Sequence, residues 1–145
     1  MHNNNENIAL YLPLNGLDGA VTTTDYSMND HAITFNGNAQ ISKDTAYNND
    51  VQSSLKLDGS GDYLTIPYAG SFEHGAADTT IMFSVYFNTV LASQGGFYTQ
   101  RIDADNWYQI YHRNNMVYLL YRTSSGDRAY YTWNFTPEAQ TWYSF

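Results

Sequence analysis

Short segments of alternating apolar and polar residues follow one another along this 145-residue chain. Clusters of Gly, Asn, Asp and Ser separate them about every 8 to 12 residues, a spacing typical of sandwiches and barrels. Alternation with a period of two predicts strands, which we place at 8–14, 32–41, 53–57, 62–67, 79–88, 97–102, 106–112, 116–123, 128–134 and 141–145. Because no window of about 11 residues carries an apolar helical stripe, we predict an all-β fold, an antiparallel β-sandwich.

The segment from 106 to 134 has the best-specified pattern. The predicted turn 113–115 contains Asn114 and Asn115, which tolerate the left-handed backbone that a tight turn requires, and the polar cluster 124–127 marks a second turn. The strands around these turns are predicted to form an antiparallel meander with aromatic residues on both faces. One face is expected to pack in the core. The other would then remain as an exposed aromatic surface, which usually marks a partner or ligand.

These aromatic residues are candidates for sugar binding, because aromatic rings can stack on pyranose rings while neighbouring amides and charged groups contact the hydroxyls. The candidate ligand-binding residues are Trp107, Gln109, Tyr111, Tyr118, Arg122 and Tyr131, within a denser set that includes Asn106, Tyr108, Tyr121, Tyr130 and Trp133. The alternative is that half of this set forms core and the rest packs against further strands or another subunit.

Composition narrows the range of partners. Aromatic residues make up 17% of the chain and charged residues 14%, which favours strands. The net charge is −8, and the six basic residues are scattered singly, without the basic stripe that nucleic-acid binding needs. No apolar run reaches the roughly 20 residues that span a bilayer. We therefore expect no nucleic-acid partner and no membrane insertion, and the absence of Cys excludes disulfides and thiolate metal sites.

The segment 57–67, LDGSGDYLTIP, resembles the most recognisable segment of laminin-G-like, concanavalin A-like jelly-roll domains. Further segments that resemble the family follow in its order at 8–16, 25–31, 36–41, 71–75 and 78–86. The resemblance covers most of residues 8 to 87 and continues more weakly to residue 145. It implies a concanavalin A-like jelly roll.

The resemblance also implies an incomplete domain. The family usually continues well beyond a Thr-Trp-Tyr segment such as 141–143, whereas this chain stops at Phe145. We expect a disordered or linker-like segment at 1–7 and a laminin-G-like domain at 8–145 with its C-terminal part truncated. An incomplete sandwich exposes strand edges, so we expect another copy, another chain or further sequence to complete it.

Calcium is the cofactor that the resemblance implies, because many family members bind it in loops like 25–30 and 58–62. The candidate ligands are Asp25, Asn29, Asp58 and Asp62, with Asp30 beside them. Ca²⁺ prefers such oxygen donors. The alternative, which we favour, is that these side chains form turns through hydrogen bonds to the backbone.

We predict no catalytic site. Glycoside hydrolases on this scaffold need paired carboxylates, which laminarinase-like relatives carry as E-x-D-x-E, and the three Glu residues here form no such pattern. Asp103 and Asp105 alternate on a predicted turn, for which a solvated loop is the preferred interpretation. The His residues lack metal-ligand spacing, and neither a G-x-S-x-G elbow nor a P-loop occurs.

The expected function is a non-catalytic recognition or structural module of a phage or prokaryotic surface or virion assembly, binding glycans or neighbouring subunits within an oligomer. An Asn- and Tyr-rich, Lys-poor composition favours a phage or prokaryotic particle protein. The start of the chain lacks the charged n-region of a signal peptide, and we expect the protein on a virion or outside the cell. The alternatives are a purely structural virion or decoration protein without glycan binding and, more distantly, a glycoside hydrolase relative.

Overall fold

The computed structural model describes residues 7–48, 52–73, 78–90, 94–126 and 128–145. Within these ranges the chain forms ten strands and one three-residue 3₁₀ turn, Gly70–Phe72, without an α-helix, and every strand pair is antiparallel. The predicted all-β, antiparallel fold class is confirmed. The chain divides into two compact units, Met1–Thr80 and Ile81–Phe145. Of the predicted linker-like segment 1–7, only Asn7 lies in the described residues, and it is exposed.

The first unit contains two short strand pairs. Strand β1 (Thr34–Asn36) pairs with β4 (Tyr63–Thr65), and β2 (Gln40–Ser42) pairs with β3 (Ser54–Lys56). Ile41 on β2 is fully buried. Its backbone forms hydrogen bonds with residues that precede β1. The Gly19 amide donates to the Ile41 carbonyl at 2.8 Å, and the Ile41 amide donates to the Ala20 carbonyl at 2.7 Å. Residues before β1 are therefore anchored to β2.

The prediction of a strand at 8–14 is wrong, because side chains bind the backbone groups that a strand ladder would use. The Tyr11 amide donates to the Asp25 carboxylate, and the Leu14 carbonyl accepts a hydrogen bond from the Ser53 hydroxyl. Leu14 also has a φ of 57°, which interrupts an extended backbone. The segment is thus held in place without pairing as a strand.

The predicted strand 32–41 is divided by a turn into β1 and β2. Gly37 has a φ of 69°, and a Cβ at this position would collide with the Asp62 side chain and the Gly61 carbonyl oxygen. Only glycine fits both the conformation and the space. The predicted strand 79–88 is likewise shorter, since pairing covers Ser84–Phe87.

The second unit contains a four-stranded sheet and a strand pair. The sheet has the order β6 (Gly95–Arg101), β7 (Trp107–Arg113), β8 (Met116–Arg122) and β9 (Arg128–Asn134), and β5 (Ser84–Phe87) pairs with β10 (Thr141–Ser144). The predicted meander is confirmed. Asn114 and Asn115 have φ values of 52° and 57°, so they form the tight turn between β7 and β8 that favours Asn.

An aromatic cluster joins the two sheets of this unit, and its members are Phe83, Phe87, Phe97, His112, Phe135, Tyr143 and Phe145. Phe87 on β5 lies at its centre, with ring centroids 6.3 Å from Phe97 on β6 and 6.2 Å from His112 on β7. Burial of such large side chains is the main stabilising contribution available here. Residues 81–145 therefore form two packed antiparallel layers, as the sandwich prediction requires.

Candidate functional site

Five of the six predicted ligand residues share one face of the four-stranded sheet. Trp107, Gln109 and Tyr111 alternate along β7, and on β8 Tyr118 pairs with Tyr111 while Arg122 pairs with Trp107. We call this set the stacked face. Alternation in the sequence predicted which residues share a face within β7 and within β8, and the pairing of Tyr111 with Tyr118 brings the two sets together.

Three side chains of the stacked face are engaged in contacts, two with each other and one with Asp105. The Tyr111 and Tyr118 rings stack with centroids 4.8 Å apart and an angle of 4° between their planes. Tyr111 is 8% exposed, so its ring offers little surface to a ligand. The Arg122 Nη2 atom lies 3.1 Å from the Asp105 carboxylate in an ion pair. This face has the chemistry for sugar binding, but its Tyr111 ring is buried and its Arg122 is already paired.

Tyr131 lies on the opposite face, so the prediction that groups it with the other five residues is corrected. It pairs with Leu119, which in turn pairs with Ile110. Residues that face one another across paired strands share a side of the sheet. Ile110 is 6% exposed whereas Tyr131 is 65% exposed. The same face is therefore core at one end and open surface at the other.

The open end of this face carries three exposed aromatic side chains, Tyr121, Tyr131 and Trp133, which we call the aromatic shelf. Trp133 belongs to a row that begins with His112 on β7 and Val117 on β8. The exposed fraction across this row is 1%, 0% and 42%. Tyr121 on β8 is 43% exposed. The cover over this face thus includes Val117 at one end of β8 but leaves Tyr121 at its other end and Trp133 on β9 exposed.

The sequence contained Tyr121 and Trp133 within the wider aromatic set but gave no reason to select them. Alternation separates two faces but does not identify which part of a face a second layer covers. The covering layer comes from β5 and β10, whose aromatic contacts reach Phe97 and His112. Only the packing of the aromatic cluster reveals that β9 lies at the open end.

Asp25, the first candidate calcium ligand, is buried and already accepts four hydrogen bonds. Its Oδ1 atom accepts from the amides of Tyr11 and Ser27, and its Oδ2 atom accepts from the Ser27 hydroxyl and the His31 amide, all between 2.8 and 3.0 Å. Burial by itself would raise the pKa of Asp25, but these hydrogen bonds outweigh it and hold the pKa below its ordinary value. Every lone pair of the carboxylate is used, so Asp25 does not fit a metal ligand.

Asn29 acts beside it as a donor. Its amide group donates to the Ile8 and Ala9 carbonyls at 3.2 and 3.1 Å. Together with Asp25 it ties the segment around Ala9 to the turn at 25–31. Both side chains thus hydrogen-bond to the backbone, as in the alternative that we favoured, but the Asn29 amide group reaches a distant segment of the chain.

Asp58 and Asp62 lie together in a second loop. Asp62 accepts hydrogen bonds from the amides of Asn38 and Asp58, while Asp58 accepts from the Ser60 amide and the Asn38 side chain. The hydrogen bond from the Ser60 amide is the largest cause that lowers the pKa of Asp58. Each of the four carboxylate oxygens accepts one of these hydrogen bonds. In the described part of the chain, no group of three or more acidic or His residues could hold a metal ion.

Calcium at this second loop stays a prediction that calorimetric titration can test. If Asp58 and Asp62 bind Ca²⁺, Asp62→Asn will remove the heat of binding, because a carboxylate oxygen is lost. A flat trace for the unmodified protein would leave turn formation as the role of both carboxylates.

Asp103 and Asp105 are engaged in the turn between β6 and β7. Asp103 accepts hydrogen bonds from the Asn106 side chain and from the amides of Asp105 and Asn106. The first of these contributes most to lowering the pKa of Asp103. A general acid needs a raised pKa instead. The contacts therefore match the solvated loop that the sequence favoured.

Comparison of the chain with protein-family models, with curated proteins and with solved structures finds no match. Among the described residues, no helix is both long enough and apolar enough to cross a membrane.

Proposed function

We propose that this protein is a non-catalytic recognition module that binds glycans through the aromatic shelf. The observation that carries the proposal is the exposure of Tyr121, Tyr131 and Trp133 on one face of a sheet whose other end is core. Exposed aromatic groups of this size are costly to leave in water and usually mark a ligand or partner. Their rigid rings also lose little conformational entropy on binding.

A neutral glycan suits the chemistry of the shelf. The apolar C–H face of a pyranose ring packs on an aromatic ring, while its hydroxyls stay in water or reach polar groups nearby. Tyr131 and Trp133 are two residues apart on β9, which separates them by about 7 Å along the strand. No charged residue lies between 129 and 134. The net charge of −8 also disfavours acidic ligands.

The wider context that we propose is a phage or prokaryotic surface or virion assembly, with the protein outside the cell. The laminin-G-like, concanavalin A-like resemblance of residues 8 to 87 and the Cys-free, Asn- and Tyr-rich composition support it. The same scaffold serves lectins and structural subunits alike. A purely structural role is the second candidate, favoured by the unpaired outer edge of β9 in the described residues.

A glycan array followed by titration of the best ligand tests the proposal. We expect Trp133→Ala to weaken binding about tenfold or more, because truncation of a central aromatic contact costs about 2 kcal/mol. Tyr131→Ala should have a similar effect. An array without any signal would contradict the glycan proposal and favour the structural one.

Two control variants locate the site. Tyr63→Ala removes a tyrosine that is 53% exposed on β4 in the other unit, and it should leave glycan binding unchanged. Trp107→Ala alters the stacked face instead. If Trp107→Ala abolishes binding and Trp133→Ala does not, the stacked face rather than the aromatic shelf holds the ligand.

A further inference from the structure

Strand β9 is a long, regular strand at the edge of its sheet. It pairs with β8 over seven consecutive residue pairs without a bulge, and in the described part of the chain no strand pairs with its outer side. Proteins usually protect such edges with charges, proline, bulges or short strands. Arg128 is the one charged residue in β9, and the strand has no proline. The edge is therefore open to another strand.

The opposite edge of the same sheet is protected in the usual way. Strand β6 begins with Gly95 and Gly96, and its pairing with β7 shifts register between Gly96 and Tyr98. A bulge of this kind bends the strand and interrupts a regular hydrogen-bonding edge. The two edges of the sheet therefore differ, and β9 presents the more regular one.

The hydrogen-bond alternation identifies which backbone groups of β9 are available. The Phe135 amide donates to the Asn115 carbonyl at 2.9 Å, which continues the β8–β9 register by one pair. Since bonded and non-bonded pairs alternate in antiparallel ladders, residues 129, 131 and 133 bond towards β8. The N–H and C=O groups of residues 128, 130, 132 and 134 therefore point away from β8.

We infer that β9 pairs antiparallel with β9 of a second copy, around a two-fold axis at Tyr131. In this register residue 128 lies opposite 134 and residue 130 opposite 132, so every outward-pointing N–H and C=O group finds a partner. Arg128 lies opposite Asn134, so no like charges meet. The two Tyr131 residues meet at the axis as a cross-strand aromatic pair.

This self-complementarity favours a second copy over an unrelated strand. A two-fold interface uses the same patch on both subunits and closes after two copies. One continuous eight-stranded sheet results, and the aromatic shelves of both copies adjoin across the axis. The inference rests on the edge of β9 and not on glycan binding.

Thr132→Pro tests the interface, because it removes an N–H that points away from β8 and leaves the β8–β9 hydrogen bonds intact. Proline is tolerated at such positions of edge strands. Sedimentation equilibrium should give twice the mass of one chain for the unmodified protein and a single-chain mass for Thr132→Pro. Thr132→Val keeps the amide and should remain dimeric. Circular dichroism would verify that each variant is folded.

Thr132→Lys provides a second variant in case the proline variant does not fold. It keeps the amide but adds a charge to each edge, a common natural protection against strand pairing. We expect its dimer dissociation constant to rise about tenfold or more, or about 1.4 kcal/mol. A monomeric unmodified protein, or a dimer that Thr132→Lys leaves unchanged, overturns the inference. A monomer that binds glycan would overturn it while leaving the proposed function standing.

Discussion

Phe87→Ala is expected to lower the free energy of unfolding by about 4 kcal/mol, the usual cost of replacing a buried Phe by Ala. The Phe87 side chain is 4% exposed, and its ring centroid lies 6.1 to 6.3 Å from four other aromatic rings. Truncation leaves a cavity between the two layers of the second unit that these rigid rings cannot fill. Urea denaturation followed by tryptophan fluorescence would measure the loss.

Met82→Ala is the matched control for Phe87→Ala. Met82 lies five residues earlier in the chain and is 81% exposed. Its truncation should change the free energy of unfolding by less than about 0.5 kcal/mol. Equal effects of the two substitutions would contradict the assignment of Phe87 to the core.

Asp25→Ala is expected to destabilise the protein by about 3 kcal/mol. The substitution leaves the Tyr11, Ser27 and His31 amides without their acceptor, and Asp25 itself is 3% exposed. Unsatisfied buried polar groups cost about 1 to 3 kcal/mol each, less when water can reach them. Thermal unfolding of the variant would show the loss. An unchanged stability would contradict the anchoring of the segment 8–14 by Asp25.

The same residue predicts a dependence of stability on pH. The pKa of Asp25 is lower in the folded protein than its ordinary value of about 3.9 in an unfolded chain. The ionised carboxylate therefore stabilises the fold above about pH 4, and this contribution is lost as the pH falls through the folded pKa. Asp25→Asn should lack that part of the acid destabilisation. Asp78→Asn, at an exposed carboxylate, should retain it.

Asp25 and Asp58 show why two aspartates that look alike in sequence differ in their fitness to bind a metal ion. The sequence places Asp25 and Asp58 in similar polar loops, and both were candidates for calcium. In the structure, Asp25 is buried with four donors, whereas Asp58 is exposed and accepts two hydrogen bonds. A metal ligand must keep free lone pairs, and sequence spacing does not report how many are used.

The local pattern of apolar, polar and turn-forming residues predicted the strands of the second unit well. The turn at Asn114 and Asn115 follows from the tolerance of Asn for positive φ, and the faces of β7 and β8 follow from simple alternation. Both are local properties, since they depend on neighbours along one or two strands. The first unit was harder to predict because side-chain hydrogen bonds and the turn at Gly37 replace regular pairing there.

The all-β, antiparallel character of this protein and the alternation of faces along β7 and along β8 were determined by its sequence alone. The tertiary structure decided which aromatic residues remain exposed. His112 and Trp133 lie in one row of the same face, yet they are 1% and 42% exposed. The difference arises because the covering layer from β5 and β10 meets the sheet near β6 and β7. Where one layer ends over another depends on contacts between residues far apart in the chain, which alternation along a strand does not encode.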